Sequence, residues 1–177
     1  MKYAIMLFVS AALLCGATTA NANEVWLGAT KHGVDTPFTL KTAEGGADIQ
    51  GGWRGDKIEG LSFIGKPSPY LLASVSVDGE TSFAAIGLSW KIGDKVYVRP
   101  GIGLAIHDGK IPRVLPGRGR VDLGSRILFE PEIALGVKLN DKLFAEASWV
   151  HISNAQILSG QNPGLDVIGA RLVLKLK

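Results

Sequence analysis

The sequence predicts an all-β protein, an eight-stranded antiparallel transmembrane β-barrel preceded by a cleavable signal peptide. Three observations carry that prediction. Apolar and polar residues alternate through nearly the whole chain beyond residue 22, and a helical period is hard to find. Tight turns alternate with long loops. Each candidate strand keeps one continuous aliphatic face about as long as hydrocarbon demands, ~9–11 residues when tilted.

Met1–Ala22 has the parts of a secretory leader. Lys2 supplies the charge, Ala4 to Leu14 the apolar core, and Ala20-Asn21-Ala22 an A-x-A cleavage site. The apolar run is shorter than the ~20 residues of a spanning helix, which argues against an anchor. Leu14 is too large for the small residue expected before a lipoprotein cysteine, so Cys15 is not read as one. Cys15 is the single cysteine, so residues 23–177 offer neither disulfide nor thiol chemistry. Their length suits one domain, the β-barrel itself. The basic excess is modest, +3. With no arginine–aromatic interleaving and no phosphate-cradling glycine motif, nucleic acid is set aside as a partner.

Eight strands are expected: Glu24–His32, Ala47–Gly55, Pro69–Val77, Thr81–Ile92, Lys95–His107, Val121–Leu139, Lys142–Ser153 and Leu165–Lys177. Ile92-Gly93-Asp94-Lys95 and Leu139-Asn140-Asp141-Lys142 are tight turns, whereas residues 33–46, 108–120 and 154–164 are long loops. Val77-Asp78-Gly79-Glu80 is a short turn where a long loop might be looked for, and Asp56–Ser68 is a longer connection at the other end. Short turns at one end and long loops at the other are the habit of outer-membrane barrels, and both termini then lie in the periplasm.

The faces agree with this arrangement. Val96, Val98, Pro100, Ile102, Leu104 and Ile106 share one face, opposite Tyr97, Arg99 and small residues. Ile127, Phe129, Pro131, Ile133, Leu135 and Val137 oppose Glu130 and Glu132. Arg99, Glu130, Glu132, Glu146 and Arg171 therefore point to one side. Inside a narrow barrel they can satisfy one another, while singly each would be costly to bury. The competing arrangement is a soluble lipocalin-like barrel with the aliphatic faces inward and these charges in water. An open sheet in lipid would leave backbone groups unpaired, so the membrane version must be closed. Pro100 and Pro131 cannot donate to a ladder and are expected to mark bulges. The chain ends Leu174-Lys175-Leu176-Lys177, without the terminal aromatic common in such barrels.

The chemistry gathers at the last hairpin. His151 and Ser153 lie two apart on one strand, so they leave the same face, which continues through Trp149, Ala147, Ala145 and Leu143. On the last strand Asp166 tops the face of Ile168, Ala170, Leu172 and Leu174. In-register antiparallel pairing can set Asp166 across from His151. A nucleophile, a base and an orienting acid would then crown an aliphatic wall. That placement is poor in water and suits an enzyme that cuts a lipid beside a membrane. The alternative for His151 is an interfacial histidine beside Trp149 in an aromatic girdle. Asp166 alone could be a loop-end cap, and Asn162-Pro163-Gly164 only a turn.

His151-Ile152-Ser153-Asn154-Ala155, followed by Asn162-Pro163-Gly164-Leu165-Asp166, resembles the H-x-S-N-A … N-P-G-x-[E/D] signature of the outer-membrane lipid A 3-O-deacylases, the PagL-like acyloxyacyl hydrolase family. The signature covers only the last hairpin; the strand layout and the leader agree with it. The resemblance implies a carboxylic ester hydrolase at the cell-surface face of the Gram-negative outer membrane, removing the acyl chain at position 3 of lipid A. It implies Ser153 as nucleophile, His151 as general base and Asp166 as the acid that orients it. Asn154, Asn162 and Gly164 become candidates for the oxyanion hole or its supporting turn. Well-known members carry glutamate at the acid position, at a spacing that can be one residue shorter. Aspartate is one methylene shorter, so its reach depends on the loop.

The substrate partner would be lipopolysaccharide; no cofactor or metal is called for, and a homodimer is left open. Lys110, Arg113, Arg118, Arg120 and Arg126 make the loop after His107 basic. Arginine forks match phosphate geometry, so Arg113, Arg118 and Arg120 are head-group candidates; the plain alternative is a solvated basic loop. His32 and Asp35 form another polar cluster at an outer loop that could bind a ligand, with no partner residues for a metal. The competing function is a non-catalytic small outer-membrane barrel with a structural or surface-contact role.

Overall fold

The computed structural model describes residues 22–39, 44–109, 123–155 and 164–176. The expected leader lies outside these residues apart from Ala22, where the first strand begins. Nine strand segments occur among the described residues: β1 (Ala22–His32), β2 (Ala47–Gly55), β3 (Ser68–Ser76), β4 (Phe83–Ser89), β5 (Ile92–Gly93), β6 (Val96–His107), β7 (Ile127–Lys138), β8 (Leu143–Ile152) and β9 (Leu165–Lys175). β4 and β5 both pair with β6 and together form one stave. All pairings are antiparallel, and the β4–β6 pairing closes the sheet into an eight-stranded barrel in which β1 meets β9.

The aliphatic faces point outward. Leu135 is 58 % and Leu172 54 % exposed, whereas Arg99, Glu130, Glu132, Glu146 and Arg171 are each at most 4 % exposed. The lipocalin-like arrangement is thereby overturned. Closure satisfies the backbone, and the outer aliphatic band is what a bilayer requires.

Eight staves leave a lumen only wide enough for side chains. Arg171 donates from Nε to Glu146 at 2.6 Å and from Nη1 to Glu132 at 3.0 Å. Arg99 donates to Glu146 at 3.2 Å and to Glu24 at 2.9 Å. Arg54 joins Glu24 and Glu146 at 3.3 and 3.4 Å, with its guanidinium 4.1 Å from the Trp26 ring centre. Tyr97 donates to Glu146 at 2.7 Å, and Tyr70 donates to Glu130. Four of the five expected charges, Arg99, Glu132, Glu146 and Arg171, form one network that Glu24, Arg54 and Tyr97 extend, while Glu130 is bonded to Tyr70. Inward glycines make the room: a Cβ on Gly52 would meet the Trp26 ring at 2.0 Å, and one on Gly136 the Tyr97 ring at 2.1 Å.

The strand expected over Val121–Leu139 begins only at Ile127. The one expected over Thr81–Ile92 is interrupted at residues 90–91. The prolines account for two local features, but not as bulges, because the β6–β7 register runs without a shift. Trp90 donates its N–H to the Pro100 carbonyl at 3.0 Å. A residue's N and C=O face the same neighbour in an antiparallel ladder, so the proline nitrogen faces the break between β4 and β5. The longer connection between β2 and β3 holds a 3-10 segment, Glu59–Ile64, tied to the wall by the Trp90 indole N–H donating to Ile64 O at 2.7 Å.

Candidate active site

The register of the final hairpin sets His151 directly opposite Asp166. Strand alternation then places both side chains on the outer face, above Trp149, Ala147 and Ile168. The imidazole Nδ1 lies 2.9 Å from Asp166 Oδ1. A carboxylate can only accept, so Nδ1 carries the ring proton, and Nε2 of the neutral ring is the free lone pair.

The carboxylate is gripped by two further donors. Trp149 donates its indole N–H to Oδ1 at 2.6 Å, and Thr36 its hydroxyl to Oδ2 at 2.7 Å. Asp166 is fully buried, although it stands on the barrel's outer face. Its cover is the turn Thr36–Thr39, closed by reciprocal backbone hydrogen bonds of 2.9 and 3.1 Å. Phe38 stacks on Trp149 with ring centroids 5.4 Å apart. Thr39 Oγ1 lies 3.5 Å from His151 Nδ1.

Ser153 pairs with Phe129, an outward residue of β7, in an isolated bridge with backbone distances of 2.8 and 3.0 Å. Residues paired across a ladder share a face, so Ser153 lies on the outer side with His151 rather than in the lumen. Both are largely buried, His151 7 % and Ser153 5 % exposed. Among the described residues no hydrogen bond joins the serine hydroxyl to the imidazole. Their Cα atoms stand ~7 Å apart by strand geometry, and a rotamer change and strand bend must bring them together.

The β7–β8 ladder runs to Glu132↔Val150 and resumes in the same register at Phe129↔Ser153. The pair skipped on the outer face is Pro131 with His151. Pro131 points its nitrogen toward β8, as Phe129 does, and has no N–H to donate. The ladder is therefore open beside the histidine.

Gly164 leaves room for the imidazole that a side chain would fill. Its φ is +60°, and a Cβ there would meet His151 Cε1 at 2.7 Å and Thr39 Oγ1 at 2.5 Å. Asn154 is buried and donates from Nδ2 to Leu123 O at 2.9 Å, tying the end of β8 to the segment before β7. Asn162, Arg113, Arg118 and Arg120 lie outside the described residues. Arg126 donates to the carbonyls of His107 and Gly109 at 3.0 and 2.8 Å, which makes it a brace for the loop stem.

His32 is not an outer-loop ligand group. It faces the lumen, fully buried, with Nδ1 2.8 Å from Asp48 and Nε2 2.9 Å from Glu44. Its parity with Trp26, Gly28 and Thr30 on β1 was the signal for that orientation. Thr36, Phe38 and Trp149 also gather at the acid; the sequence offers Trp149 as a girdle residue and Thr36 and Phe38 only as members of the outer-loop cluster after His32, with nothing to place them beside Asp166.

Below the histidine, an apolar hollow runs down the outer wall between Val98, Ile133, Leu135, Trp149 and Ile168. Its floor is Ala147, a small outer-face residue among the taller side chains of Leu135, Trp149 and Ile133.

A family model described as lipid A 3-O-deacylase (PagL) matches residues 44–175. Among solved structures, the crystal structure of the outer membrane enzyme PagL aligns with a TM-score of 0.61 at 20% identity, covering 86% of this chain and 99% of that one. This likeness is one of fold. The backbone structure of the Yersinia pestis outer membrane protein Ail in a phospholipid bilayer nanodisc aligns at 11% identity with a TM-score of 0.45, over 86% of this chain and 99% of that one. No curated protein matches in sequence.

Proposed function

The chain belongs to the lipid A 3-O-deacylase (PagL) family, and on that premise we propose that it is an esterase that removes the 3-O-linked acyl chain of lipid A by a Ser153–His151–Asp166 mechanism on its lipid-facing wall. The family and the barrel support an outer-membrane enzyme. The serine mechanism and a site at the outer leaflet, reached after export by a leader cleaved at Ala22, belong to the proposal.

The observation that carries it is the Asp166–His151 pair. With Nδ1–H committed to the carboxylate, Nε2 is the atom that can take the Ser153 proton. Serine is a weak nucleophile until a base does so. Oγ would attack the ester carbonyl and form a tetrahedral intermediate. The Nε2–H imidazolium, steadied by Asp166, would return the proton to the sugar 3-oxygen as it leaves. Water activated by the same base would then release a 3-hydroxy fatty acid and restore Ser153. Asn154 and Asn162 are the proposed oxyanion donors or their support, and a missing donor costs on the order of 10²–10³ in rate.

The trough over Ala147 supports a lipid substrate. An acyl chain descending from Ser153 would lie along Trp149, Ile133 and Leu135 without leaving hydrocarbon. The sugar would stay at the rim, and Arg113, Arg118 and Arg120 are the proposed partners of its phosphates. Purified protein in detergent, given lipopolysaccharide, should release free hydroxy fatty acid, and Ser153→Ala should release none. No release by the wild type would favour the non-catalytic barrel.

A further inference from the structure

We propose that the first outer turn, Thr36–Thr39, is a working part of the site: Thr36 is a positioning residue for Asp166, and Phe38 forms the wall against which the ester is seated. This rests on the esterase reading above. The turn lies outside residues 44–175, the part of the chain that the family model matches, so its role comes from this structure alone.

The geometry reaches the acid from three sides. Val34 N–H donates to the Asp166 carbonyl at 3.0 Å, which fixes the backbone. The Thr36 hydroxyl holds Oδ2, and the Trp149 indole N–H holds Oδ1 beside the imidazole. The torsion that turns an aspartate carboxylate is soft and broadly populated. With a donor on each oxygen it is locked, and Oδ1 stays aimed at Nδ1. An aspartate has one methylene fewer with which to reach the histidine, so this lock decides whether the base is aligned.

Thr36 can act only because its turn is closed on itself. Its hydroxyl also accepts from Phe38 N–H at 3.1 Å, which sets the turn's tip. The tip puts Phe38 over Trp149 and 6.2 Å from the His151 ring. Although stacked, Phe38 remains 65 % exposed, an aromatic face turned outward beside the base. β1, which carries the turn, is held against β9 from Glu24↔Lys175 to His32↔Val167, so the turn is delivered to Asp166 by barrel closure.

The two roles separate kinetically. Thr36→Val keeps shape and removes the hydroxyl, so kcat should fall about 10- to 100-fold, the cost of one hydrogen bond to a charged acceptor, and by a larger factor than KM rises through the loosened tip. Thr36→Ser restores the hydroxyl and should recover most of that loss. Phe38→Ala should raise KM for detergent-dispersed lipopolysaccharide more than it lowers kcat. Heat-modifiable gel migration reports that each variant is folded. Wild-type kcat in folded Thr36→Val, or equal damage from Val and Ser, would overturn the positioning role. An unchanged KM in Phe38→Ala would overturn the wall. Failure of the esterase reading is a separate result: no fatty acid from the wild type, or full activity in Ser153→Ala.

Discussion

Asp166 faces His151 as its direct partner across the last hairpin, with 2.9 Å between Oδ1 and Nδ1. The pair is made by register and not by loop flexibility, so a slip of one residue would send the carboxylate to the lumen face. That dependence makes the acid's identity testable. In Asp166→Asn the amide can donate to Nδ1, which favours the tautomer with its proton on Nε2. That ring cannot accept the serine proton. Hydroxy fatty acid release should fall on the order of 10²–10⁴-fold with KM nearly unchanged.

Gly164 sets the clearance for the imidazole. Alanine there must be strained at φ +60° and must displace either the ring or Thr39. A misplacement of about 1 Å can cost on the order of 10² in rate. Gly164→Ala should therefore stay folded, judged by heat-modifiable migration, and lose about that factor in kcat.

The trough over Ala147 should read chain length. Ala147→Phe raises the floor between Ile133 and Trp149, its neighbours on the wall. Release of a long acyl chain should fall well below that of a short one, assayed on glucosamine 3-O-esters of graded length. Equal losses on both would remove the trough from the account.

The lumen network should act on stability alone. Glu146 accepts from Arg54, Arg99 and Arg171 at one buried point. Glu146→Gln leaves three guanidinium groups with less negative charge than they need, and breaking a buried pair costs about 3–5 kcal/mol. The urea midpoint in detergent should drop accordingly, while the folded fraction keeps its specific activity.

Much of this is legible in the sequence. Alternation alone assigned Arg99, Glu132, Glu146 and Arg171 to one side and the aliphatic residues to the other. Equal distances of His151 and Asp166 above the apolar faces predicted their pairing. What was hidden depends on closure of the sheet. Thr36 and Asp166 are 130 residues apart and meet only because β1 pairs with β9. No local pattern marks that meeting. His32 is different: its parity on β1 was readable, and its place at the end of a strand led to the loop assignment instead. Pro131 suggests a bulge in the sequence, which does not say which neighbour its missing N–H faces.

The mass of the lipid A product after incubation with the purified enzyme tests the central claim most directly. Wild-type protein should remove one hydroxyacyl group from position 3, and Ser153→Ala should leave lipid A intact. Loss of a different acyl chain, or the same loss from Ser153→Ala, would contradict it.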